Sequence, residues 1–91
     1  MPTIRVEIPE DDWTALEAFV RARPAVPLGI DTAVRSATRI DEMRIMAFRS
    51  ADAVTALIEM INGYARTWEV PGAVALNRVL PRLYRAVSAG L

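Results

Sequence analysis

Residues 31–48 read DTAVRSATRIDEMRIMAF, and the fold of this chain turns on how that run is read. Taken at a helical period, Ile30, Ala33, Val34, Ala37 and Ile40 fall on one face, and Asp31 is placed to cap the first turn. From Met43 the pattern changes, because Met43, Ile45, Met46, Ala47 and Phe48 point nearly all round the wheel. A helix apolar on every side belongs at the centre of the core or between subunits. The sequence therefore predicts a long second helix, with Met43, Met46 and Phe48 among the anchors of a protein interface. Asp41 and Arg44, three apart on the apolar side, are expected either to neutralise each other or to let one charge reach the edge.

Toward the N-terminus, Ile4, Val6 and Ile8 alternate with Thr3, Arg5 and Glu7, the period of a half-buried strand, and Pro9 ends it. Glu10, Asp11 and Asp12 then place negative charge where a helix start has unpaired amides. That first helix runs to about Arg23, with Trp13, Leu16, Phe19 and Val20 as its apolar stripe. Pro24, Pro27 and Gly29 make the following segment a stiff loop.

Toward the C-terminus, Ser50 is a plausible cap for a third helix. Its stripe is Val54, Leu57, Ile58, Ile61, Ala65 and Trp68, and Trp68 joins the candidate interface anchors. Gly63, with Ala53 and Ala56, offers a shallow groove for a closely packed helix, or ends the helix early. Pro71 and Gly72 supply a type II turn. The last helix spans roughly residues 73–88, with Leu76, Leu80, Leu83 and Val87 inward and Arg78, Arg82 and Arg85 opposite. Pro81 should kink it and Gly90 can cap it.

The chain has 91 residues, enough for a single domain over 1–91, and 53% of them are hydrophobic. One small interior cannot hide so much, so an exposed apolar face and a twofold dimer are expected. There is no histidine, cysteine, lysine or glutamine. Nitrogen- or sulfur-ligated metals, disulfides and Ser-His or Cys-His nucleophiles are therefore excluded. The carboxylates lack calcium-loop spacing and the four glycines are too scattered for a phosphate loop, so no metal, cofactor or catalytic residue is expected. The first residues lack a signal-peptide layout and no apolar run approaches the roughly 20 residues of a membrane span, which predicts a cytoplasmic protein without membrane contact.

Net charge is zero but unevenly placed: residues 1–23 carry five acids against three arginines, and residues 70–91 carry three arginines and no acid. Arg78, Arg82 and Arg85 form the best candidate basic face. It reads as a phosphate-binding surface, as a solvated helix face, or as a mate for the Glu10–Asp12 acids of another subunit.

The N-terminal half, with its alternating strand, proline and two helices, resembles the ribbon-helix-helix DNA-binding family. The resemblance implies that two chains pair their strands into an antiparallel ribbon that reads the major groove. Thr3, Arg5 and Glu7 would then face DNA, Ile4, Val6 and Ile8 the dimer core, and the second helix, from Asp31 through Arg39, would offer amides to phosphate. The 43 residues after Phe48 would be a partner-binding extension, as in antitoxins of this class. Separately, Arg35, Arg39, Ile40 and Asp41, with the apolar run to Arg49, resemble the first helix of the small all-helical chorismate mutases. That implies arginine-lined electrostatic catalysis, in a chain that lacks the lysine and glutamine of that family.

The expected fold is mainly α: one short N-terminal strand followed by about four amphipathic helices in a bundle-like, oligomeric domain. The expected function is that of a non-catalytic oligomeric interaction protein, an adaptor or regulator. Its partners would be a second copy of itself and another protein. The alternative is a ribbon-helix-helix transcriptional regulator or antitoxin that binds nucleic acid, and the remote one a mutase-like enzyme. Strand pairing separates the first two. Pairing with a symmetry mate favours DNA, while pairing within the chain, for instance with residues 68–70, favours protein contacts.

Overall fold

In the computed structural model, which describes residues 3–90, the alternating N-terminal run forms β1 (Ile4–Pro9). It is followed by α1 (Glu10–Arg21), α2 (Leu28–Arg35), β2 (Thr38–Ile40), β3 (Met43–Phe48), α3 (Ala51–Ala65) and α4 (Ala73–Gly90). The described residues are thus mostly helical, with the four expected helices, but they hold three strands where the sequence predicted one.

The long second helix does not form. α2 stops at Arg35, and residues 38–48 make a hairpin whose strand β3 lies at the centre of an antiparallel sheet in the order β1-β3-β2. The physical reason lies in the run itself: a strand apolar on both faces also looks apolar all round when drawn on a helical wheel. Opposite residues of an antiparallel pair share a face. Ile4, Val6 and Ile8 lie opposite Phe48, Met46 and Arg44 on one face, while Arg5, Glu7 and Pro9 lie opposite Ala47, Ile45 and Met43 on the other. The hairpin turn is Asp41-Glu42, and Asp41 has φ 56°, the left-handed value that the tight hairpin turns require at their first central position. Aspartate is among the few side chains that tolerate it.

All four helices pack on the face carrying Val6, Ile8, Met46 and Phe48. Together with Leu16, Ile30, Leu57, Ile61, Leu76 and Leu83, these residues are enclosed and form one core. Met46 and Phe48 therefore belong to the interior of the chain and do not anchor a partner: each is 0% exposed.

Several local expectations also change. Asp31 is not the cap of α2, because the helix starts four residues after Pro24, directly behind Pro27, and Asp31 instead pairs with Arg35 at 2.9 Å. Asp41 does not meet Arg44 in a helix. Arg44 reaches back to Glu10 through two hydrogen bonds of 3.1 Å, and the Glu10 amide donates to the Glu42 carbonyl at 2.8 Å, so the start of α1 is fastened to the hairpin tip. Ser50 caps α3 as expected, its hydroxyl accepting from the Ala53 amide at 3.3 Å. Gly63 neither ends α3 nor receives a neighbour, since a Cβ there would meet nothing within 4 Å. The close helix approach is made by Gly29, where a Cβ would stand 3.0 Å from that of Ala53. Trp68 falls beyond α3 and is 59% exposed, outside the apolar stripe. Gly72, with φ 77°, follows Pro71 as the type II turn demands.

Candidate interaction surface

With all helices on one face, the opposite face of the sheet is open. Across it lie Thr38 and Ile40 from β2, Met43, Ile45 and Ala47 from β3, and Arg5 and Glu7 from β1. Ile40 is 56% exposed, Met43 and Ile45 are half-buried and Ala47 is exposed, so an apolar band crosses two strands and is bordered by charge on the third. At its far end a groove lined by Leu28, Thr32, Ser36, Ala47 and Arg49 continues the band, and Leu28 is 79% exposed. Of the four expected anchors, Met43 lies on this face, Trp68 is exposed elsewhere, and Met46 and Phe48 are buried beneath it.

β1 is an edge strand. One side pairs with β3 of the same chain, and residues 68–70 take no part in the sheet. On the other side the Glu7 carbonyl accepts a 3.0 Å hydrogen bond from the Arg82 guanidinium. Arg82 belongs to α4, which packs along β1, and a shallow groove of about 310 Å³ runs between strand and helix, lined by Arg5, Glu7, Arg82 and Arg85. Members of two sets singled out separately in the sequence, Arg5 and Glu7 on the strand and Arg82 and Arg85 on the last helix, thus converge at one edge of the molecule, while Thr3 lines the groove beside Leu28.

Arg78, the third arginine of the helical face, is used differently. It donates at 2.7 and 3.0 Å to one carboxylate oxygen of Asp12, whose side chain is almost fully enclosed. One of the three readings of this face paired it with the Glu10–Asp12 acids of another subunit, and here one of those acids meets one of the arginines within the chain. The hydrogen bond to Asp12, and then its charge, raise the Arg78 pKa above its ordinary value. Arg44, held by Glu10, also lies over the Trp13 ring at 5.6 Å.

Arg23 was missed in the sequence. Its guanidinium sits 5.0 Å from the Phe19 ring centroid and 5.1 Å from that of Tyr64, and its buried Nε has no hydrogen-bond partner among the described residues. These contacts tie the end of α1 to α3. Neither the apolar stripe of α1 nor that of α3 names the other's aromatic, so no sequence signal could have found them.

Among the described residues no group of carboxylates is arranged to hold a metal ion, and no helix is long and apolar enough to cross a membrane. The residues that carry the likeness to the helical mutases are divided: Arg35 ends α2, Arg39 and Ile40 lie on β2, and Asp41 is in the turn. No protein family, no curated protein and no solved structure matches this chain.

Proposed function

We propose that this is a non-catalytic interaction protein that works as a homo-oligomer through the open face of its sheet. The observation that carries the reading is the apolar band of Ile40, Met43, Ile45 and Ala47 on a sheet whose other face packs against the helices. A sheet face of this kind is stable in water when polar residues alternate onto it, and here the two strands away from β1 place mainly apolar ones. A second copy, related by a twofold axis, offers the same band in return, and two such faces stack about 10 Å apart. The in-chain pairing of β1 also supports protein contacts over a ribbon that reads DNA.

The test is the mass in solution. Light scattering at micromolar concentration is expected to give a dimer for the native protein and a monomer for Ile40→Glu combined with Met43→Glu, with unchanged far-UV circular dichroism. A native protein that is monomeric throughout that range overturns the reading.

One observation favours the ribbon-helix-helix reading as a second: among the described residues no strand lies on the outer side of β1, which is where a symmetry mate would pair. Under that reading Arg5→Ala abolishes binding to a palindromic operator selected from random DNA, and native binding falls steeply as salt rises.

A further inference from the structure

The outer side of β1 is unlike an ordinary exposed edge in what stands beside it. The Glu7 carbonyl points away from β3, as its bond to Arg82 demonstrates. In an antiparallel ladder the amide of that residue points the same way, and so do both groups of the residue two positions along. Arg5 and Glu7 therefore present a short row of backbone donors and acceptors, which ends at Pro9, a residue without an amide hydrogen. Beside this row stand three guanidiniums, those of Arg5, Arg82 and Arg85, against the single carboxylate of Glu7.

We propose that this groove binds an extended acidic peptide segment of another protein, added to the sheet as a strand beside β1. Backbone pairing with Arg5 and Glu7 supplies the register, and the arginines select the side chains. Successive same-side residues of a strand lie roughly 6.5–7 Å apart, and Arg82 and Arg85 are offset by about 4.5 Å along their helix, so acids at alternate positions meet successive guanidiniums. The empty groove is protected by the same arginine. Arg82 satisfies the Glu7 carbonyl and blocks casual edge pairing, and an incoming strand replaces it there with its own amide. The freed guanidinium then turns to the peptide carboxylate.

A second copy of this chain fits less well. A twofold pairing of β1 with itself would gather six arginines, two each of Arg5, Arg82 and Arg85, around two glutamates. Arg5 and Glu7 border both the groove and the open sheet face, but Arg85→Glu tests the groove without touching the apolar band, and the Ile40 and Met43 substitutions test the band without touching the groove, so either proposal can fail without the other.

The probe is a blocked hexapeptide of alternating valine and glutamate, with three comparisons: the lysine analogue, an analogue N-methylated at the amides that would face β1, and a single-stranded oligonucleotide of matched charge. Calorimetry is expected to show saturable binding of the glutamate peptide only. The amides of Arg5 and Glu7 should become protected from hydrogen exchange on binding. Arg85→Glu, at an exposed position without an ion pair among the described residues, should weaken binding at least about tenfold while leaving the fold intact. Equal binding of the N-methylated peptide would reduce the site to non-specific electrostatics and overturn strand addition. Preferential binding of the oligonucleotide would assign the groove to nucleic acid instead. Edge amides already protected in the free protein, in step with a concentration-dependent mass, would show that a second copy holds the edge.

Discussion

Gly63 lies within α3 with helical neighbours on both sides and open space where a side chain would project. Glycine in that setting costs backbone entropy and returns no packing, so Gly63→Ala should raise stability by about 1 kcal/mol, read from a urea denaturation midpoint at unchanged slope. Gly29 gives the opposite result, because a methyl group there would press on Ala53 at 3.0 Å and push α2 off α3. Asp41 holds the left-handed position of the hairpin turn, and Asp41→Gly should stabilise by up to about 1 kcal/mol by relieving that conformation. The bond from Arg39 to residue 41 uses the backbone carbonyl and survives the change. At this scale the sequence was partly legible. The hydroxyl cap at Ser50 and the turn at Pro71-Gly72 follow from local chemistry alone. The Asp12–Arg78 and Glu10–Arg44 pairs do not, since they join positions 66 and 34 residues apart that only the fold brings together.

At the scale of elements, the hairpin β2–β3 is where reading and structure part. Residues 30–40 fit a helical face, and the helix is real as far as Arg35. Beyond it the apolar residues are dense enough to satisfy either period, and density erases the signal that separates the two. The signal available was the Asp41-Glu42 pair between Ile40 and Met43, a two-residue polar break of hairpin length. The alternation it sets makes a sharp prediction. Met46→Asp puts a charge into the sealed core and should prevent folding, while Ala47→Asp, one residue on and on the open face, should leave the fold of the subunit intact and weaken the proposed dimer instead. Phe48→Ala should cost about 3–5 kcal/mol, because the ring is enclosed and leaves a cavity. Had these residues formed a helix, positions 46 and 47 would not differ so sharply between inside and outside. Thermal melts of the three variants, followed by near-UV circular dichroism, check the set.

For the whole molecule, the absence of histidine and cysteine removes the side chains that ordinarily change charge between pH 5 and 8. The shift at Arg78 acts far from that range. A group with a raised folded-state pKa stabilises fully below its ordinary value and loses that contribution only as pH rises through the raised one, here in strong alkali. The melting temperature should therefore be nearly flat from pH 6 to about pH 8, as calorimetric scans across that interval would verify. The overall architecture was legible as far as helix number and the N-terminal strand, because each rests on a local period. The layering, with every helix on one side of a sheet and a bare apolar band on the other, was not. It depends on which strand β1 finds, and that is a choice made across some forty residues of chain.

The single hydrogen bond from Arg82 to Glu7 spans 75 residues, nearly the full length described. Protein synthesis runs from the N-terminus, so β1 is made well before the helix that flanks it. Until α4 is complete, the inner face of β1 lacks part of its cover and its outer side lacks the guanidinium that occupies Glu7. A chain stalled after α3 would carry a bare strand edge, the ordinary starting point for intermolecular pairing and aggregation. A helix made late thus shields a strand made early, from the moment the two meet.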